Sequence, residues 1–215
     1  MAHIVATAVA LILSILFSLF TSLLKYNCEE EFVYTSNIKI CIIDEETFAN
    51  AFVNMSSIKS SDTIIFVTKK LFKEFESGNI SKEEFEAIIQ HEMNHLRKKH
   101  FLFIPLINFI ISFVFLLFVI EVFVVILKSI FLKKYSILEF LTLLILFATN
   151  HLVNYSVNIF VKKLEFEADN IESKYKKYLI KALKKLSEIN NTPLYLEGES
   201  HPSVERRIQR LLEER

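Results

Sequence analysis

Long apolar runs alternate along this chain with segments whose polar residues fall at helical or strand spacing. No charged side chain occurs from Met1 to residue 24, and residues 4–24 are long enough to cross a hydrocarbon core as a helix. A cleaved signal peptide would begin with basic residues and carry a short apolar region. Here no Lys or Arg precedes Lys25 and the run is long, so the reading is a retained span. A second run covers residues 101–127, interrupted only by Glu121, with a bend expected at Pro105. A third covers residues 135–161 and carries Glu139 and the polar set Asn150, His151, Asn154 and Asn158. Its second half is amphipathic, a polar face suited to packing on protein or lying at an interface. The pattern predicts about three transmembrane helices.

Between the first and second runs the period changes. Residues 38–43, 50–53 and 64–68 are short β-branched or aromatic runs separated by Asp, Asn and Ser, which predicts a small β-sheet. From Lys69 the spacing is helical until Ser77-Gly78-Asn79 closes it with a turn. Ser81-Lys82-Glu83-Glu84 has the form of a capping box, and the helix it opens turns Phe85, Ile88, Ile89, Met93 and Leu96 inward and runs to His100. After the third run Leu164, Ala168, Ile171, Tyr175, Tyr178, Ala182, Leu186 and Ile189 recur at three- and four-residue steps. They predict one long amphipathic helix ending near Asn190-Asn191-Thr192-Pro193. A final helix is expected at residues 203–214. The organisation is then an N-terminal span at 1–24, a soluble part at 25–100, a transmembrane hairpin at 101–161 and a second soluble part at 162–215.

Composition narrows the classes. The 215 residues hold 25 Lys+Arg and 25 Asp+Glu, and this zero net charge gives no electrostatic footprint for nucleic acid. Gly78 and Gly198 are the only glycines, so neither a dinucleotide fingerprint nor a P-loop can be built. Cys28 and Cys41 are too few for a disulfide framework or a Cys-rich zinc site, and are read as unpaired and inert. Basic residues flank the spans unevenly. Lys25, Arg97, Lys98, Lys99, Lys162 and Lys163 lie on one side, against Lys128, Lys133 and Lys134 in the hairpin loop. The positive-inside rule therefore puts residues 25–100 and 162–215 in the cytoplasm of a multi-pass cell-membrane protein, a reduced compartment that suits free cysteines.

The chemistry sits in the capped helix, at His91-Glu92-Met93-Asn94-His95. Residues four apart share a helical face, so both imidazoles can reach one Zn²⁺, and Glu92 is placed to take a proton from metal-bound water. A third protein ligand is needed. Glu165-Phe166-Glu167-Ala168-Asp169 supplies Glu165 and Asp169 on one face, of which one can bind metal while the other orients a ligating histidine. The two spans between the motifs return the chain to the same side, as the pairing requires.

Taken together these residues resemble the HtpX-like membrane zinc metalloproteases, relatives of the type-I CAAX prenyl endopeptidase. The resemblance rests on Asn50-Ala51-Phe52, Ile65-Phe66-Val67-Thr68, the His91–His95 motif with Arg97 and His100, residues 165–169, and Ser200-His201-Pro202 with Arg207-Ile208. It implies an α+β membrane protein: a helix-rich zincin-like (gluzincin) domain with a small β-sheet plus about three transmembrane helices. It implies one Zn²⁺ per chain on His91, His95 and Glu165, with Glu92 as catalytic base and Asp169 orienting His91. His201, with Asn50 beside it, would help hold the oxyanion, and Asn50, Ala51 and Phe52 would form the edge strand on which an extended substrate lies. The activity implied is that of a zinc metalloendopeptidase acting on misfolded or unassembled membrane proteins, with peptide substrates and the lipid bilayer as partners. Family members often have Gly where this chain has Asn94, a change expected to affect only packing.

Two other classes compete. An intramembrane metalloprotease uses the same motif but sets it within an apolar span, whereas Lys82, Glu83, Glu84, Arg97, Lys98 and Lys99 surround it here. A non-hydrolytic binding or transport protein would rely on the intramembrane carboxylates Glu121 and Glu139.

Overall fold

In the computed structural model the chain divides into two units whose sequences interleave, Met1–Leu23 with Leu102–Ile159 and Leu24–Phe101 with Phe160–Arg215. The structure describes residues 2–22, 26–53, 57, 63–132, 136–198 and 201–213. Residues 23–25 and 133–135, with Met1, Ser200 and Glu214, carried part of the sequence reading and lie outside them. The elements follow in the order α1 (Ala2–Ser22), β1 (Cys28–Thr35), β2 (Ile38–Ile43), β3 (Ala51–Phe52), β4 (Thr63–Thr68), α2 (Lys69–Glu76) and α3 (Lys82–Arg97). A single 3-10 turn at His100–Leu102 leads into α4 (Phe103–Leu132), α5 (Ile137–Ala168), α6 (Ser173–Ile189) and α7 (Val204–Glu213). The architecture is helix-rich with one small mixed sheet.

In the first unit α1 packs along α4, and the Ser18 hydroxyl donates to the Pro105 carbonyl at 2.5 Å. Pro105 falls in the first turn of α4, where its missing N–H removes no intrahelical bond. Among the described residues two helical stretches, His100–Phe131 and Ile137–Ala168, are long and apolar enough to cross a membrane; the described apolar stretch of α1, Thr7–Ser18, is shorter. Glu139 pairs with Lys128 at 2.5 Å. Within α5 Asn154 donates to the Asn150 carbonyl one turn earlier, and His151 rests edge-on against Phe147.

The second unit is built on the sheet, in the order β1-β2-β4-β3. The central strands β2 and β4 run parallel, while β1 and β3 flank them antiparallel. Strands buried on both faces read as continuous apolar runs, as Ile40-Cys41-Ile42-Ile43 and Ile64-Ile65-Phe66-Val67 do. Alternate residues serve opposite faces. Ile40, Ile65 and Val67 join Leu71, Ile80, Phe85, Ile88 and Ile89 of the helical layer, while Cys41, Ile43, Ile64 and Phe66 pack with Phe52 on the other side. Ser81 and Glu84 form the expected capping box at the start of α3, with bonds of 2.8 and 3.3 Å. Lys185 of α6 reaches the same Glu84 carboxylate at 2.7 Å, so the cap also ties α3 to α6. A second apolar cluster of Ala87, Ile171, Leu179, Leu183 and Leu211 closes α3, α6 and α7 on one another.

Besides α3, which stops at Arg97 and not at the expected His100, three sequence expectations need correction. First, β1 has no counterpart among the expected strands, because Glu29-Glu30-Glu31 interrupts the apolar alternation. An edge strand tolerates such charges on its open face. Second, β1 brings Cys28 to Cys41 as a disulfide with 5.3 Å between Cα atoms, so the two cysteines are not unpaired. Third, the long helix expected from Leu164 to Ile189 is two helices. It breaks after Ala168, where the Asn94 amide donates to both the Ala168 and Asn170 carbonyls at 3.0 Å and takes acceptors that a continuing helix would use.

Candidate metal centre

The last two turns of α3 and the last turn of α5 carry the reactive side chains. Helical spacing sets His91 and His95 on one face of α3, and the capping box and apolar inner face fix that helix in the unit. Their Nε2 atoms face each other at 3.2 Å. Glu165 reaches both, with Oε2 3.7 Å from His91 Nε2 and Oε1 3.3 Å from His95 Nε2. One donor atom from each of the three lies within 4.8 Å of the others. A tetrahedral zinc with bonds of about 2.0–2.1 Å sets its ligand atoms roughly 3.3 Å apart, and a two-imidazole, one-carboxylate set is a known catalytic zinc environment. The spacing and chemistry of these three donors fit that ion.

Around the three donors is a buried shell of charge. Asp169 Oδ1 lies 2.9 Å from His91 Nδ1, the ring nitrogen turned away from the cluster. Arg207 of α7 clamps Asp169 with Nε to Oδ2 at 2.8 Å and Nη2 to Oδ1 at 2.6 Å, and its Nη1 is 3.8 Å from Glu165. Burial pushes the Asp169 carboxyl up, but the Arg207 guanidinium and His91 together outweigh it and hold the group at about 2. Burial likewise disfavours a charged His91, yet hydrogen bonds to Asp169 and Glu165 raise it to about 10. Glu165 is also pushed up by burial and is held well below the ordinary range by His201, His91 and His95. Without metal the cluster thus balances imidazolium and guanidinium against two carboxylates.

Glu92 is buried beside the donors, with Oε1 4.0 Å from His91 Nε2. Burial raises its pKa above the usual carboxylate value, against the opposing pull of His91 and His95. His201, more than half exposed, points Nδ1 at Glu165 Oε2 from 3.0 Å. A family model for peptidase family M48 matches residues 19–215. The chain belongs to that family. HtpX and the CAAX prenyl endopeptidase are members, and membership indicates a metallopeptidase. No curated protein matches the chain.

In this M48 chain the structure gathers His91, Glu92, His95, Glu165, Asp169 and His201 into one cluster. It keeps Asn50, Ala51 and Phe52 on the sheet. Asn50 is held there by its own N–H to Thr68 Oγ1 at 2.8 Å and by its carbonyl, which accepts from the Thr68 N–H at 2.9 Å. β3 pairs with β4 through Ala51–Val67 and Phe52–Phe66 and ends the sheet order. Two residues contribute more than the sequence suggested. Arg207 was legible only as part of a motif, with nothing in its spacing to link it to Asp169. Asn94, expected to alter packing alone, anchors the end of the helix that carries Glu165.

Proposed function

We propose that the chain is an integral-membrane, HtpX-like zinc endopeptidase that hydrolyses peptide bonds of misfolded or unassembled membrane proteins. The observation that carries this reading is the convergence of His91, His95 and Glu165 with Glu92 beside them. His91 Nε2, His95 Nε2 and Glu165 would hold one zinc per chain. When bound, zinc supplies Lewis acidity, polarising a carbonyl and lowering the pKa of water toward about 7.

The other steps belong to the chain's own groups. Glu92, buried beside the donors, accepts the proton of the attacking water and passes it to the leaving amine. Asp169 fixes the His91 ring through Nδ1, and Arg207 fixes Asp169. His201, exposed at the rim, donates to the oxygen of the scissile carbonyl as charge develops there. The terminal strand β3, with Asn50 before it, offers an edge on which an extended peptide adds as a further strand.

Membrane integration is supported by the apolar side chains that α4 and α5 expose along their lengths, among them Phe115, Phe123, Phe140, Leu144 and Leu152. With α1 they make the three-span reading. The basic flanks favour a cytoplasmic catalytic unit, whereas the Cys28–Cys41 disulfide favours an oxidising compartment. Reporter fusions decide between the two. The activity itself is tested with the purified full chain on an unfolded protein substrate. Hydrolysis should stop with a zinc chelator and return with added zinc. Undiminished proteolysis in chelator, or none with zinc present, refutes the proposal.

A further inference from the structure

The two candidate zinc imidazoles are supported differently. A neutral imidazole carries one N–H and one lone pair, so a ring that offers Nε2 to a metal must carry its proton on Nδ1. In buried surroundings that N–H needs an acceptor. For His91 the acceptor is the Asp169 carboxylate. For His95 it is a third histidine: His100 Nδ1 lies 3.0 Å from His95 Nδ1. A ring nitrogen accepts only when it is unprotonated, so His100 must then carry its proton on Nε2. That atom faces Glu167 Oε2 at 3.5 Å, a long contact that orients by charge rather than as a tight bond.

The backbone is arranged to bring His100 there. Helix α3 stops at Arg97, and Lys99 takes a φ of 57°, in the left-handed region that costs an L residue about 1–2 kcal/mol. A glycine ordinarily fills such a position after a helix. The turn folds His100 back beneath His95 and buries it to 4% exposure. The neighbouring Lys98 Nζ donates to the Glu167 carbonyl at 2.5 Å, fixing the end of α5 beside the same turn. Strain held at one turn, a buried ring and a helix end fixed by its Glu167 backbone carbonyl all serve one contact.

We propose that His100 is a positioning residue that fixes the tautomer and ring orientation of His95, with Glu167 as its outer anchor. Both zinc-facing imidazoles are then held from the single segment 165–169, His91 directly by Asp169 and His95 through His100 by Glu167. This rests on the zinc-peptidase reading above. Without the His100 acceptor, the half-buried His95 Nδ1–H loses its protein partner, and the proton is free to move to Nε2, where it competes with the metal.

The test measures zinc affinity by competition with a chromophoric chelator, on the full-length protein in detergent, for the parent, His100→Asn and His100→Phe. Phe keeps the ring volume without an acceptor and should bind zinc about 10–100-fold more weakly. Asn places Oδ1 where Nδ1 was and should stay within about threefold of the parent. Equal affinity of the Phe variant and the parent overturns the proposal, and so does an Asn variant as weak as Phe. A readout on the unaltered chain guards against misfolded variants. Long-range proton–nitrogen correlation on the zinc-loaded, histidine-labelled parent should show His95 protonated on Nδ1 and His100 on Nε2; His100 protonated on Nδ1 overturns it. A parent that binds no zinc refutes the peptidase reading and this inference with it. A parent that binds zinc beside an equally tight Phe variant refutes this inference alone.

Discussion

Replacing Arg207 by Met tests whether α7 belongs to the catalytic centre or only covers it. Both Arg207 and Asp169 are buried, and two bonds of 2.6 and 2.8 Å join them. Removing the guanidinium leaves a buried carboxylate with His91 as its partner, and breaking such a pair costs about 3–5 kcal/mol. A second route to the magnitude uses the titration. Holding Asp169 at about 2 when its ordinary value is 3.8 is worth about 2 kcal/mol of folding free energy at neutral pH, a contribution Arg207 shares with His91. The sign is that of a depressed acid: the contribution is full above about pH 4 and is lost as pH falls through 2. Denaturant unfolding of the zinc-free protein in constant detergent should therefore show Arg207→Met less stable by about 2–5 kcal/mol at pH 7. The difference from the parent should shrink below pH 4. Asp169→Asn combined with Arg207→Met should cost less than the two single changes added, by about 1–3 kcal/mol. Additivity within about 0.5 kcal/mol would show that the two residues do not act as a pair and would refute the argument.

If Glu92 is the base proposed above and not a ligand, Glu92→Gln should bind zinc as the parent does while losing nearly all hydrolysis; equal turnover of an unfolded substrate by variant and parent rules out that role. Glu165→Ala should bind no stoichiometric zinc, whereas Asp169→Ala should bind about 10–100-fold more weakly and recover with excess metal. Zinc retained by the first and lost outright by the second reverses their roles. A reporter fused after Arg215 should report cytoplasm and one inserted near Ser129 the opposite side. Both on one side means the hairpin does not span, and an external C-terminal reporter gives the orientation that the disulfide favours.

The legible parts of the fold are those whose physics is local. Ser81 and Glu84 sit at capping spacing and make the cap. The central strands are apolar on both faces and carry little else, so β2 and β4 show in composition alone. Strand β1 did not show, because Glu29, Glu30 and Glu31 are tolerable only at the edge, and edge position is a property of the sheet. The break after Ala168 was hidden for a related reason. The three- and four-residue spacing from Leu164 to Ile189 continues across it, and the carbonyls at the break are bonded by the Asn94 side chain, seventy-four residues earlier in the chain. Pairing of Cys28 with Cys41 depends on β1 and was lost with it.

At the candidate site the same division separates donors from their supports. His91 and His95 are legible because a helix converts a four-residue spacing into a shared face; spacing likewise puts Glu165 and Asp169 on one face, and the family resemblance chose Glu165 as the third donor. Arg207 and His100 act across elements, and no spacing within one element encodes such a contact. The segment 165–169 shows how the two kinds of information combine. Glu165 and Asp169 share a face, so one meets both imidazoles and the other the outer nitrogen of His91. Glu167 lies on the opposite side of that turn and would face away from α3 if α3 continued straight. The chain turns at Lys99 and presents His100 to it. One helical turn therefore meets both the face and the end of α3, and a continuous α3 running through His100 would have left His95 without its neighbour.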